Sequence, residues 1–314
     1  MSASSIPNLS SLRRGGGGRG RGLRTSTEQS PAEKNATIRH TDNDAATSRM
    51  SAVAAGYLQD DFVALLTNEN WQRRLPLMNR GTYVRTSGID RIVDIFLAST
   101  KGHRQIISLG AGSDTRYLRL KQANKHENAT YIELDLWENV DTKIARLQQP
   151  DCVTKVKNLC NIDLSKAATS NHELHLNDYH LIACDLRRLP TSPEWLDPDL
   201  PTLLISECCL IYLSPQEADN VLSYFTSRCK SSLAAVVYEP IRPHDSFGRT
   251  MISNLVSRGI QLKTIEKYAD LDKQRIRLET LGFSAQTADV EFIWKSWISQ
   301  EEKERIEALE WMDE

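Results

Sequence analysis

The sequence predicts an α/β domain: a parallel sheet with helices on both faces, preceded by extra N-terminal helices. Three observations lead there. Five short apolar runs, "QIISLG", "ATYIELD", "YHLIACD", "PTLLISE" and "SLAAVVYE", have the length and composition of buried strands. Segments with helical spacing of apolar residues separate them. Each of the first four runs ends in a glycine or an acid, at Gly110, Asp135, Asp185 and Glu207. Alternating strands and helices imply parallel pairing through right-handed crossovers, so the strand C-termini share one edge, and ligands bind at that edge.

Residues 1 to about 45 are rich in Ser, Gly, Arg and Thr. "RRGGGGRGRGLR" carries Arg13, Arg14, Arg19, Arg21 and Arg24, with no acid up to Thr27. Such a stretch buries too little apolar surface to offset its ordering entropy, so a disordered tail is expected. A solvated extension is preferred over an RNA-binding segment, because no aromatic residue interleaves the arginines. A single folded domain is expected from residue 46 to residue 314. Apolar residues at Met50, Val53, Ala54, Tyr57 and Phe62 to Leu66 suit one helix, and Ile89, Ile92, Val93, Phe96 and Leu97 suit a second. After the fourth strand, Ser214, Pro215 and Glu217 form a capped helix start, followed by an apolar face of Ala218, Val221, Leu222 and Phe225. A further helix starts at the N-cap Asp245, runs through Phe247, Met251 and Leu255, and stops near Gly259. Another reaches Leu281, with Gly282 as its stop.

The chain has 314 residues, 40% hydrophobic and 25% charged, enough for a sizeable core. A formal net charge of −2 does not advertise nucleic acid or an anionic membrane as a partner. No apolar run approaches the roughly 18 residues of a membrane span. The six cysteines contain no Cys-x-x-Cys pair, and several sit inside apolar runs. They read as reduced thiols of a cytoplasmic or nuclear protein, with no metal site expected.

The glycine turn "IISLGAGSDTRYLRL" narrows the ligand. A dinucleotide site wants a third glycine where this chain has Thr115, and Asp114 beside the turn is unfavourable for a pyrophosphate. A phosphate-free adenosine fits better. Asp135 lies 25 residues after Gly110, where an acid can accept both ribose hydroxyls, and Asp185 is placed to accept from the adenine amino group. A positively charged, phosphate-free adenosine compound is S-adenosyl-L-methionine, whose sulfonium the acids would complement.

"SLGAGSDTRYLRL", "IELD", "ACDLRRL", "PTLLISECCLIYLSPQEADNVL", "YEP", "DSFGRTMISNL" and, upstream, "NRGTYVRTSGID" resemble the leucine carboxyl methyltransferases that modify protein phosphatase 2A. The resemblance runs from about residue 48 to the C-terminus. It implies a class I S-adenosylmethionine-dependent methyltransferase (Rossmann-like) fold. It also implies methyl transfer to the α-carboxylate of the C-terminal leucine of the phosphatase catalytic subunit. By position, the family's cofactor contacts fall on Arg49, Arg85, Gly110, Asp135, Asp185 with Leu186, and Glu207. At Arg49 relatives carry Lys, a change of reach and geometry. Arg85 is expected to clamp the cofactor's carboxylate, and Tyr212 to orient the substrate or line its pocket. Tyr238 and Glu239 share the same edge. A carboxylate acceptor is already ionised at neutral pH, so no general base is required.

Methyltransferases of this class finish with a seventh, antiparallel strand after a long helix. This chain stops at "EKERIEALEWMDE", with Ile306, Leu309 and Met312 in helical spacing, so a C-terminally shortened domain with one strand fewer is expected. Three other readings remain: a carboxyl methyltransferase for a hypermodified tRNA base (wybutosine), a non-catalytic phosphatase-binding module, and a nicotinamide dehydrogenase. The tRNA branch carries a β-propeller, and no propeller repeats are visible here.

Overall fold

The computed structural model describes residues 31–311. The expected tail therefore lies outside the described residues up to residue 30, and from there the expectation fails. Helix α1 (Pro31–Ala54) is continuous through the predicted boundary at residue 45. The first predicted helix is accordingly two: α1 ends at Ala54, a turn follows through Gly56, and α2 (Val63–Leu66) is a single turn. Asp60 caps α2, its carboxylate accepting from the backbone N–H of Phe62 and Val63 at 3.0 and 3.1 Å. Helix α3 (Pro76–Ser99) begins with proline at its first turn, where the missing N–H costs nothing.

The five predicted strands all form. They are β1 (Arg104–Leu109), β2 (Ala129–Asp135), β5 (Tyr179–Ala183), β6 (Thr202–Glu207) and β7 (Leu233–Tyr238). They pair in parallel, with α4 (Arg116–Gln122) between β1 and β2 and α5 (Trp137–Leu147) and α6 (Pro150–Cys160) after β2. The sequence reading missed a hairpin, β3 (Ala168–Ser170) and β4 (Glu173–Leu176), which extends the sheet antiparallel to β5. The order is β3-β4-β5-β2-β1-β6-β7, so the sheet is mixed. The hairpin turns through Asn171 and His172, both at positive φ, the conformation that matches strand twist in a two-residue turn. The order in which strands are laid down reverses between β1 and β6, which pair in parallel, and this switch point opens the ligand crevice at the C-terminal edge.

Alternate residues of the central strands feed two cores. Ile106, Tyr131, Leu203 and Ile205 pack on one face; Ile107, Ile132, Ile182 and Leu204 pack on the other. The second face is closed by α7 (Pro215–Arg228), through Ala218, Val221, Leu222 and Phe225 as its spacing predicts. The Ser214–Glu217 capping box is present. Helix α8 (Ser246–Ser257) has Asp245 as N-cap, and α9 (Leu271–Thr280) ends before Gly282 at positive φ. β7 is the outer strand on its side, and among the described residues no strand pairs with its far edge. The chain continues into α10 (Val290–Trp297) and α11 (Gln300–Glu307).

These last two helices pack on the N-terminal ones. Ile293 and Ile306 join Ala52, Tyr57, Tyr83 and Val84 in a third apolar cluster. A Cβ at Gly88 would lie 3.2 Å from Ile293 Cδ1, so α3 and α10 are in close contact there. Ile306 is fully buried. Ile306→Ala should therefore destabilise the fold by about 2–4 kcal/mol, the range for truncating a buried aliphatic side chain. Urea unfolding followed by circular dichroism measures this; a shift within error would show that α11 does not brace α1 and α3.

Candidate active site

A cavity of about 360 Å³ opens at the C-terminal edge of β1, β2 and β6. It lies within the size range of small-molecule sites. Arg49, Arg85, Gly110, Asp135, Asp185, Leu186, Glu207 and Tyr212 all line it. The structure thus brings together the eight residues given cofactor or substrate roles from the sequence, whereas Tyr238 and Glu239, placed on the same edge, do not line it.

The floor is the glycine turn after β1. Gly110 and Gly112 have φ of +59° and +49°, which a side chain would strain. Their small size is also used by the protein itself. A Cβ at Gly110 would come within 2.5 Å of Cys209 Sγ, and one at Gly112 would collide with the carboxylate of Asp42. Asp42 comes from α1, and its Oδ1 accepts from the Ser113 backbone N–H at 2.7 Å and from Ser113 Oγ at 2.6 Å. Asp135 Oδ2 accepts from the Gly112 N–H at 2.6 Å. Asp114 Oδ1 accepts from the Arg116 N–H at 3.0 Å. Three backbone donors of the turn and the helix start behind it, at Gly112, Ser113 and Arg116, are therefore taken by protein carboxylates rather than left for a pyrophosphate. The charge of Asp114 is itself paired with Arg116, so the barrier to phosphate is this occupancy rather than a free acid.

Asp135 is buried at the end of β2. Its Oδ1 accepts from the Leu136 N–H at 2.6 Å and from Asn139 Nδ2 at 2.9 Å. Burial pushes its pKa up to about 6, against the opposing hydrogen bonds from Gly112, Leu136 and Asn139. Asp185, after β5, is gripped in two-pronged fashion by Arg187, through Nε at 2.7 Å and Nη2 at 2.6 Å. Burial would raise its pKa, but the Arg187 bonds lower it. Asp185 thus holds Arg187 beside Leu186 at the cavity wall, a pairing the sequence reading did not foresee.

Glu207 sits where β6 ends and Cys208 turns the chain at a φ of +51°, an uncommon conformation for a residue with a side chain. Both of its oxygens are held. Arg85 Nε donates to Oε1 at 2.5 Å, and Arg116 Nη2 donates to Oε2 at 3.0 Å. Burial alone would raise the Glu207 pKa; Arg85, Arg116 and Arg49 hold it well below the usual carboxylate range. Arg85 lies in the middle of α3, with its guanidinium 5.4 Å from the Tyr238 ring centroid. Among the described residues, no acceptor bonds its two Nη groups. Arg49, buried on α1, stands 3.9 Å from Asp60, and among the described residues its Nη1 has no hydrogen-bond acceptor. The cavity therefore offers two arginines with unspent N–H donors.

Tyr212 ends the tight turn Leu210–Tyr212, and its hydroxyl pairs with Thr41 of α1. Burial, reinforced by Cys208, pushes its pKa up to about 12, so it is a donor at neutral pH. Thr41, Asp42 and Asp44 also line the cavity. The sequence reading missed them because it placed this segment in the tail; the available signal was "HTDNDAATSR", whose acids sit beside Arg49. It also missed the charge network behind the turn, where Arg116 and Arg119 meet Asp90 and Asp114.

This arrangement can hold a phosphate-free, polar ligand bearing a carboxylate. Comparison with known proteins agrees with a transferase of that kind. A family model described as leucine carboxyl methyltransferase matches residues 32–226. A leucine carboxyl methyltransferase 1 from Emericella nidulans is 45% identical, over 100% of this chain and 90% of its own. The protein of that name from Schizosaccharomyces pombe is 38% identical over 88% of each chain. Among solved structures, an O-methyltransferase family protein from Burkholderia thailandensis is similar at 14% identity and a TM-score of 0.40, over 68% of this chain and 56% of that one. On the extent of the family match and the identity of these relatives, the chain belongs to the leucine carboxyl methyltransferase family.

Proposed function

We propose that this chain transfers a methyl group from S-adenosyl-L-methionine to the α-carboxylate of the C-terminal leucine of a protein phosphatase 2A catalytic subunit, giving a methyl ester. The observation that carries the reading is the single cavity lined by all eight site residues, with the family's methyl-transfer chemistry behind it. The residues fit the cofactor: protein carboxylates fill the amide donors a phosphate would need, Asp135 faces the cavity, and Arg49 keeps a buried orphan donor for a carboxylate. When bound, S-adenosyl-L-methionine supplies an electrophilic methyl group on a sulfonium.

The chain's own part is to bind and align. A carboxylate acceptor needs no proton removed at neutral pH, so the absence of a poised base from this reading is consistent with the chemistry. Arg49 and Arg85 would hold the single carboxylate at the amino-acid end of the cofactor by charge-assisted hydrogen bonds. Asp135 accepts from the ribose. Tyr212, held protonated, donates to the acceptor carboxylate and orients it. Holding the reacting atoms in line is worth up to about 7–11 kcal/mol of barrier. A narrow cavity admits a chain terminus end-on and excludes internal loops, which accounts for selectivity for a terminal residue.

Incubation with labelled S-adenosyl-L-methionine and phosphatase catalytic subunit, with and without its terminal leucine, should label only the intact form. Label on both forms, on neither, or on tRNA alone would overturn the reading. The pH dependence gives a second check. The folded pKa of Asp135 lies above the unfolded carboxylate value of about 4, so the folded state binds the extra proton between pH 4 and about 6. Its contribution to stability falls as pH rises through that window. Cofactor binding, which uses the ionised form, should move oppositely and weaken as pH drops below about 6. Calorimetric titration from pH 5 to 8 should show this slope in the native chain, and Asp135→Asn should bind ~10-fold weaker at pH 7.5 and lack the slope, as expected for loss of a charge-assisted bond. An unchanged slope in the variant would mean another group titrates.

A further inference from the structure

Arg116 is 1% exposed and makes three ion pairs, each through a different nitrogen. Nε donates to Asp90 Oδ1 at 2.9 Å, Nη1 to Asp114 Oδ2, and Nη2 to Glu207 Oε2 at 3.0 Å. The three acids come from three separate segments around the cavity; Asp114 and Glu207 line it and Asp90 does not. Asp90 is on α3 below Arg85, Asp114 is in the glycine turn, and Glu207 ends β6. Arg116 does not line the cavity itself. A buried guanidinium is costly unless paired, and a purely structural pairing gains little over an apolar replacement. The geometry at Glu207 points to more than bracing. That carboxylate is shared, with Oε2 going to Arg116 and Oε1 to the Nε of Arg85. An arginine and an isolated carboxylate close into a two-pronged pair that spends a terminal nitrogen as well as Nε. Here the second oxygen is already taken, so Arg85 bonds Glu207 through Nε alone and keeps both Nη groups without a protein acceptor among the described residues.

We propose that Arg116 is a positioning residue: by occupying the second oxygen of Glu207 it keeps the terminal nitrogens of Arg85 free for a ligand carboxylate. The inference rests on the cofactor reading of the cavity, and it is independent of the protein substrate. Without Arg116, Arg85 turns fully onto Glu207 and withdraws its fork from the cavity.

The test is calorimetric binding of S-adenosylhomocysteine, which keeps the cofactor's carboxylate, to the full chain and to Arg116→Lys, Arg85→Lys and the double variant. Lysine keeps the charge but cannot reach three acids at once. Arg116→Lys should weaken binding ~10-fold, in line with the cost of a misplaced contact group. If Arg116 acts through Arg85, adding Arg116→Lys to Arg85→Lys should cost less than about 2-fold further, whereas independent sites give multiplying losses. Multiplying losses, or unchanged binding in Arg116→Lys with a native thermal transition, would overturn the proposal. Should Arg116→Lys lose its cooperative transition, Asp90→Asn serves in its place. It removes the charge that anchors Arg116 Nε, should weaken binding about 3-fold, and should show the same lack of further loss over Arg85→Lys. Multiplying losses there would equally overturn the proposal. Failure of the native chain to bind S-adenosylhomocysteine would instead defeat the cofactor reading, and this inference with it.

Discussion

The site depends on a line of alternating charges that runs behind the glycine turn. It passes from Arg49 to Asp60 at 3.9 Å, to Arg119 at 3.7 Å, to Asp90 at 2.5 Å, to Arg116 at 2.9 Å, to Glu207 at 3.0 Å and to Arg85 at 2.5 Å. Each carboxylate in it touches two arginines. Alternation lets ions that are individually expensive to bury share their compensation. Asp90 shows the balance: burial would raise its pKa, yet Arg119 and Arg116 hold it well below the carboxylate range. The line ties α1, the α2 cap, α3, α4 and β6 into one frame, so the arginines that face the cavity are joined through Asp60, Arg119, Asp90 and Arg116, which do not line it.

The glycine turn is fixed from the opposite side as well. Lys143 of α5 donates to the Asp114 carbonyl at 2.6 Å and to Glu133 at 2.5 Å in a fully buried pair. Burial keeps Glu133 up at about 7 even against Lys143. The turn is thus held by Arg116 on one flank, Lys143 on another and Asp42 from above, and its backbone geometry does not wait on a ligand. Preorganisation of this kind is what a reaction limited by alignment requires.

The sheet and the acids at its edge were legible because buried parallel strands are continuous apolar runs, and a polar residue closing such a run stands out. The capping box at Ser214 and the N-cap at Asp245 were legible for the same local reason. What escaped was non-local. Helix α1 shows no sustained apolar face along Pro31–Ala54, and it is held by contacts to Ser113, Tyr212 and Asp60 that no spacing announces. The β3–β4 hairpin has strands of three and four residues and turns through Asn-His rather than Asn-Gly. The Arg116 cluster joins positions 90, 114, 116 and 207, of which only Asp114 and Glu207 drew notice in the sequence, and for other reasons.

Asp42 gives α1 a consequence for selectivity. Cells hold adenosine mostly in phosphorylated form, as nucleotides and dinucleotides, and any adenosine pocket meets these compounds as competitors. A protein can reject them by shape, or by leaving no counter-charge for their phosphates. Here a carboxylate borrowed from the N-terminal helix already sits on the Ser113 amide and hydroxyl, donors that would welcome an anion. A phosphate arriving there would have to displace one negative charge and then face it. The helix thereby sets a negative charge at a turn whose glycines alone would have left room for an anion.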